Sequence, residues 1–215
     1  SACLVGSEMC IREGTQTEQN LINAFAGESQ ARNRYTFFAK QAKKDGYEQI
    51  AAIFLETAEN EKEHAKLFYE FIGDTKGHVD GNYPFEFGTT EENLVSAAQG
   101  EKEEWSFLYA EGERIAREEG FEDVANTFHY VIDAEKHHEN RYLKLLENVR
   151  NNTVFQKDYE THWIAENAAI FIMANQHRKN VRIVTIRKHI SKYFAKIINN
   201  VTFSENPFFL AILIV

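Results

Sequence analysis

The segments ENEKEHAK (residues 59–66) and DAEKHHENRY (residues 133–142) each contain a glutamate and a histidine three positions apart. These pairs are Glu61/His64 and Glu135/His138. Residues three apart lie on one face of an α-helix, so each pair projects from a single helical surface. The segments are 74 positions apart, and neighbouring residues repeat at the same distance, beginning with Gly46 and Gly120. The sequence therefore predicts an internal duplication of a helical unit.

The duplication extends upstream, where the dipeptide Gly27-Glu28 recurs 73 positions later as Gly100-Glu101. Turn signals separate four segments in which apolar residues recur at three- and four-residue intervals. The four segments cover residues 17–45, 47–73, 90–118 and 121–149. Because two helix hairpins packed face to face form a four-helix bundle, we predict an all-α fold with the repeated residues near the bundle axis.

The composition excludes several classes of protein. The chain has 215 residues, and 33 acidic against 24 basic residues give a net charge of −9. An acidic chain of this kind is not expected to bind nucleic acid or an anionic membrane. The two cysteines, Cys3 and Cys10, cannot build a disulfide scaffold or a cysteine zinc site. The longest apolar run (208–215) is too short to span a membrane, and we recognise no signal peptide, so we expect a cytoplasmic location.

In each predicted hairpin, the first helix carries one glutamate and the second helix carries a Glu-x-x-His pair. Together these residues form a recognisable set of metal ligands. Glu28 and Glu101 supply the first part of the set. This combination is the pattern of di-iron or di-manganese carboxylate sites in four-helix bundles. Carboxylates neutralise two neighbouring cations, and imidazole suits iron. A metal-free structural bundle is disfavoured, because it would bury several uncompensated carboxylates.

Three further residues on the first and third helices are candidates for the site. Glu104 follows Glu101 by three positions and offers a second carboxylate on that face, either as solvated surface or as a ligand; we expect a ligand. Tyr35 and Tyr109 follow Glu28 and Glu101 by seven and eight positions. They pack in the core or donate hydrogen bonds to ligand carboxylates, and we expect the second role.

Four segments resemble the rubrerythrins, and the resemblance covers about residues 14–163: AFAGESQARNRY, ENEKEHAK, AAQGEKEEW and DAEKHHENRY. It implies a ferritin-like homodimer that holds two iron ions and reduces hydrogen peroxide to water with electrons from an outside donor. The ligands implied are Glu28, Glu61, His64, Glu101, Glu104, Glu135 and His138. In the family, one iron moves between the carboxylate matching Glu104 and the histidine matching His64 as the redox state changes. A ferritin-like iron-oxidising or iron-storing module is the alternative, and Glu104 favours the peroxidase.

The C-terminal region departs from the rubrerythrins, which normally end in a rubredoxin domain whose iron is held by two Cys-x-x-Cys pairs. This chain reaches TVFQKDYETHW (residues 153–163) and then contains no cysteine. A shift of reading frame after Trp163 permits both cysteine pairs and a stop codon. We therefore interpret residues 165–198 as a frameshifted rubredoxin domain and 199–215 as read-through, so that rubredoxin-type iron is absent and an external donor such as a separate rubredoxin is needed.

The predicted domains are therefore a non-native leader (1–13), the di-iron bundle (14–150) and a linker with the degenerate former rubredoxin region (151–215). Residues 165–215 carry seven basic and two acidic residues, in contrast to the acidic bundle. We expect this tail to be short and irregular or partly helical. A genuine basic C-terminal helix that contacts an acidic partner is the alternative, with Arg178, Lys179, Arg182, Arg187 and Lys188 on its surface.

Overall fold

The computed structural model describes residues 11, 13–74, 76–165, 170–176 and 211–213. The chain divides into two compact units, Ser1–Asn151 and Asn152–Val215. Most of the predicted leader and the basic residues of the alternative C-terminal helix lie outside the described residues. Within the part that is described, no helix has the length and apolar character needed to cross a membrane.

The first unit is a bundle of four long helical segments, as the sequence predicts. Its helices are α1 (Gln16–Asp45), α2 (Glu48–Phe71), α3 (Thr90–Glu103), α4 (Tyr109–Glu118) and α5 (Glu122–Arg150), with a π-helical turn, Glu104–Leu108, joining α3 to α4. Helix α1 packs along α2, while α3 and α4 pack along α5. The prediction of an all-α bundle made of two helix hairpins is confirmed.

Both hairpins turn at a glycine in the left-handed conformation. Gly46 follows α1 with φ of 89°, and Gly120 follows α4 with φ of 84°. Their backbone N–H groups donate to Lys43 and Arg117, respectively, one turn back along the preceding helix. Only glycine adopts this conformation without a steric penalty, so the repeated glycines allow two equivalent, tight connections.

Two equivalent carboxylates tie the hairpins to each other. Asp45, at the end of α1, accepts hydrogen bonds from the backbone N–H and the hydroxyl of Thr90, at 3.0 and 2.6 Å. Glu119, just after α4, accepts the same two hydrogen bonds from Thr17, at 2.9 and 2.6 Å. Each carboxylate satisfies N–H groups that a helix start leaves without an intrahelical partner. The duplication therefore includes the contacts between the two halves.

The π-helical turn accounts for a one-residue difference between the halves. Residues before it repeat at a distance of 73, as Glu28 and Glu101 do, whereas Tyr35 and Tyr109 repeat at 74. The backbone N–H of Tyr109 donates to the carbonyl of Glu104, five residues earlier. A π-turn absorbs one extra residue without ending the helix, and such turns are frequent at functional sites. It returns Tyr109 to the register that Tyr35 has in the first half.

The described part of the second unit is an antiparallel sheet, so the expectation of an irregular or partly helical tail is wrong there. Its strands are β1 (Gln156–Ala165), β2 (Ile170–Gln176) and β3 (Ala211–Leu213), in the spatial order β2-β1-β3. The sequence of β2, IFIMANQ, begins with β-branched and aromatic residues. Such residues favour the pleated surface of a sheet over a helix.

Candidate metal centre

Four glutamates and two histidines converge in the interior of the bundle. Helix α1 supplies Glu28, α2 supplies Glu61 and His64, α3 supplies Glu101, and α5 supplies Glu135 and His138. The four glutamates are at most 1% exposed. They come together because each lies on the inward face of its helix, where the repeat predicts it. Six of the seven predicted metal ligands therefore meet in one place.

These six side chains form two overlapping clusters. In each cluster, one potential ligand atom from every residue lies within 4.8 Å of the others. The first cluster is Glu28, Glu61, His64 and Glu135; the second is Glu61, Glu101, Glu135 and His138. Because Glu61 and Glu135 belong to both, the centre offers two neighbouring cation positions that share two carboxylates.

The two histidines have nearly equivalent surroundings. Nδ1 of His64 lies 3.0 Å from Glu61, 2.9 Å from Glu135 and 3.8 Å from Glu28. Nδ1 of His138 lies 2.8 Å from Glu135, 3.3 Å from Glu61 and 3.7 Å from Glu101. Each imidazole thus directs the same nitrogen towards the shared carboxylates. The arrangement has the approximate twofold symmetry that the duplicated sequence implies.

Unpartnered carboxylate oxygens show that the centre fits bound cations. One oxygen of each glutamate is buried without a hydrogen-bond partner: Glu28 Oε2, Glu61 Oε1, Glu101 Oε2 and Glu135 Oε1. Glu135 Oε1 lies 2.9 Å from Nδ1 of His64, but not in hydrogen-bonding geometry. Burying a carboxylate oxygen without a partner is costly, whereas a cation would satisfy all four oxygens together. Oxygen and imidazole ligands in this number suit two iron ions.

The buried carboxyl and imidazole groups of the centre have strongly shifted pKa values. Burial, and then the charges of Glu135 and Glu61, raise the pKa of Glu28 well above its ordinary value. Burial and the charge of Glu135 raise the pKa of Glu101 to about 7, although His138 opposes the change. Burial would lower the pKa of His64, but its contacts with Glu135 and Glu61 raise it to about 10. Cations entering the centre must therefore displace protons.

Two buried tyrosines hold carboxylates of the opposite hairpin. The hydroxyl of Tyr35 on α1 donates to Glu101 Oε1 on α3 at 2.5 Å. The hydroxyl of Tyr109 on α4 donates to Glu28 Oε1 on α1 at 2.7 Å. The structure thus places both tyrosines beside the predicted ligands as hydrogen-bond donors. Their part in function stays a prediction.

Glu104 lies beside the centre but belongs to neither cluster. The residue is partly buried at the start of the π-helical turn. Burial of its carboxyl group, and then the charges of Glu101, Glu135 and Glu61, raise its pKa well above the ordinary value. Ala31 occupies the corresponding position of the first half, so this carboxylate has no counterpart there. The carboxyl group of Glu104 therefore interacts electrostatically with the glutamates of the centre. Its role as a ligand stays a prediction.

Asn60 contacts a histidine of the centre, although the sequence pattern did not predict a role for it. Its Oδ1 lies 3.3 Å from Nε2 of His138, the ring nitrogen that faces away from the carboxylates. The duplication contained a usable signal, because the residue 74 positions later is Ala134. Several other positions of these two segments differ as well, so this signal alone does not single out Asn60.

Comparisons with known proteins agree with this geometry. The rubrerythrin family model matches residues 19–146. Rubrerythrin-1 of Clostridium acetobutylicum is 51% identical over 156 residues, which cover 70% of this chain and 80% of that protein. The rubrerythrin of Porphyromonas gingivalis is 45% identical over 183 residues, which cover 85% of this chain and 90% of that protein.

Solved structures show the same fold. The mixed-valence structure of nigerythrin matches with a TM-score of 0.57 and 28% identity, covering 84% of this chain and 90% of the nigerythrin chain. A Rhodobacter capsulatus bacterioferritin matches with a TM-score of 0.59 and 21% identity, covering 66% of this chain and 89% of that chain. The second likeness concerns the helical fold alone.

Proposed function

Because the chain belongs to the rubrerythrin family, we propose that this di-iron protein of oxidoreductase type is a peroxidase that reduces hydrogen peroxide to water. The observation that carries the proposal is the set of four buried carboxylate oxygens that have no hydrogen-bond partner among the described residues and belong to the two overlapping ligand clusters. Glu28, Glu101 and the two Glu-x-x-His pairs would hold the irons. The bound iron pair supplies two electrons, and with two protons these convert one hydrogen peroxide to two waters.

The residues of the chain contribute charge balance, positioning and exclusion of water. Glu61 and Glu135 belong to both clusters, so two bound cations would share these carboxylates, and their negative charge would offset the repulsion between the cations. Tyr35 and Tyr109 restrict their partner carboxylates by hydrogen bonds that cross between hairpins. Such bonds orient metal ligands and tune their basicity. The centre is thereby organised before the cations bind.

Glu104 supports a peroxidase over an iron-storage module. It adds a carboxyl group beside one half of the centre, where the equivalent position in the other half is Ala31. We propose that this carboxylate and His64 serve as alternative ligands of one iron, and that Glu104, His64, Tyr35 and Tyr109 act in the reaction. A ferritin-like module that oxidises or stores iron needs no such difference between halves.

The source of electrons and the assembly are part of the same proposal. We propose that an external donor, such as a separate rubredoxin, returns two electrons after each turnover, and that the protein is a cytoplasmic homodimer. The region that we interpret as a frameshifted rubredoxin domain, 165–198, lies largely outside the described residues. The absence of rubredoxin-type iron therefore stays a prediction, as do the domain limits 1–13, 14–150 and 151–215.

Anaerobic titration with Fe(II), followed by rapid mixing with peroxide or with oxygen, tests the function. We expect two irons per chain and much faster oxidation by peroxide. Faster oxidation by oxygen would instead indicate a ferritin-like oxidase. Failure to bind stoichiometric iron would refute the proposed centre itself.

A matched pair of variants separates the peroxidase from the storage module. Glu104→Gln should slow oxidation by peroxide while two irons still bind. Glu103→Gln changes the preceding residue, which is exposed on the same helix, and should behave as wild type. Equal rates for the two variants would argue against a role for Glu104.

A further inference from the structure

The two halves of the centre differ on the outer side of the histidine rings. Nε2 of His138 lies 3.3 Å from Oδ1 of Asn60, a residue on the neighbouring helix α2. In the part of the chain that the structure describes, every polar contact of His64 is made by Nδ1. Ala134 stands at the place that corresponds to Asn60 and offers no acceptor.

The contact with Asn60 provides a hydrogen-bond acceptor for Nε2 of His138. Oδ1 is an acceptor only, so Nε2 must be the donor in this hydrogen bond. Nδ1 faces the carboxylates of Glu61, Glu101 and Glu135, so it would exchange a proton for a cation when the centre is filled, while Nε2 keeps its proton and its acceptor. Metal-binding histidines are commonly held in this way by an acceptor on the far ring nitrogen.

The solvent exposure of the two rings also indicates that His138 is held more firmly than His64. The side chain of His138 is 4% exposed, whereas that of His64 is 12% exposed. His138 is therefore held on both edges of its ring, by carboxylates at Nδ1 and by Asn60 at Nε2. Among the described residues, His64 has polar contacts at Nδ1 only, and its side chain is more exposed to solvent.

We propose that Asn60 is a positioning residue that keeps His138 oriented for metal binding, so that the cation position at His138 binds more tightly than the one at His64. The inference rests on the proposed two-metal centre and goes beyond it, because it makes the two positions unequal in a stated order. On the outer side of the histidine rings, the difference comes from Asn60, because the corresponding residue of the other half is Ala134.

Zn(II) is a suitable probe because it is diamagnetic and accepts carboxylate and imidazole ligands. We expect two Zn(II) ions to bind the full chain in two resolved calorimetric steps. After the first step, NMR of protein labelled with 15N-histidine should show a slowly exchanging Nε2–H proton on His138. The corresponding proton of His64 should exchange rapidly with water even when both sites are filled.

Three variants test the cause of the difference. Asn60→Ala should remove the slowly exchanging proton and weaken the tighter site by about 10–100-fold. Asn60→Asp has the same shape and keeps an acceptor, so it should retain both the proton signal and the tight site. Ala134→Asn should create a protected Nε2–H on His64 and strengthen the weaker site. Circular dichroism of each variant checks that the bundle is still folded.

The outcomes distinguish this inference from the proposed function. If Asn60→Ala binds two Zn(II) ions with unchanged affinities and an unchanged His138 proton signal, the role of Asn60 is wrong while the two-metal centre stands. If the tighter site proves to be the one at His64, the inferred order is wrong. If wild type binds no stoichiometric Zn(II), both the inference and the proposed metal centre are overturned.

Discussion

Replacing Glu101 by glutamine should stabilise the metal-free protein while impairing its metal centre. The side chain is 0% exposed, and burial together with the charge of Glu135 raises its pKa from 4.5 to about 7. Between these values the folded protein binds a proton that the unfolded chain has released. The stability of the metal-free protein therefore falls as pH rises through this window.

The structure sets the size of the effect. At about 1.36 kcal/mol per pH unit, a carboxyl group whose pKa rises from 4.5 to about 7 on folding costs about 3 kcal/mol at pH 8 and about 1 kcal/mol at pH 5. Glutamine carries no charge at either pH, so Glu101→Gln should gain up to these amounts in the free energy of unfolding. It should also lose one of the two bound cations, because Glu101 belongs to the cluster around His138.

Urea unfolding in the presence of a chelator, at pH 5 and pH 8, measures the stability change, and Fe(II) titration measures the stoichiometry. Glu103→Gln is the matched control, since that side chain is exposed and its replacement should change stability by no more than about 0.5 kcal/mol. If Glu101→Gln is less stable than wild type at pH 8 and still binds two cations, the electrostatic account of the centre is wrong.

Four further substitutions test hydrogen bonds and packing in the bundle by urea or thermal unfolding. Tyr35→Phe removes the hydrogen bond to the Glu101 carboxylate and should cost about 2 kcal/mol. Tyr142→Phe removes a buried hydroxyl that, among the described residues, forms no hydrogen bond to a ligand carboxylate, so it should cost much less. Equal losses would contradict the assignment. Burial would raise the pKa of Asp45, but hydrogen bonds from the first residue of α3 lower it below 3.8. Asp45→Ala should therefore cost about 1 kcal/mol at neutral pH, and this difference should vanish as pH falls below that value; a loss that persists in acid would show another cause. Gly112→Ala places a Cβ atom 3.0 Å from an aromatic ring and should cost about 1–3 kcal/mol, and an unchanged melting temperature would show that the ring moves freely.

The sequence alone determined the architecture of the bundle and most of its centre. Helical periodicity is local, and the Glu-x-x-His pairs of residues 61–64 and 135–138 occur twice, so their positions on two helix faces followed without knowledge of the packing. The Gly-Glu dipeptides extended the repeat to the other two helices. Because repeated halves pack symmetrically, the convergence of Glu28 and Glu101 with these pairs could be predicted from spacing.

Only the tertiary structure decided the contacts that join distant parts of the chain. The Tyr35–Glu101 hydrogen bond and the contact of Asn60 with His138 join residues 66 and 78 positions apart, between different hairpins. No periodic pattern encodes such pairs, since they depend on how the helices are placed against each other. The same holds for Glu104, whose carboxylate lies outside both ligand clusters. In the described tail, the sheet depends on strand pairing between segments that are separate in sequence, such as residues 163–165 with 211–213, and no periodic pattern predicted this pairing.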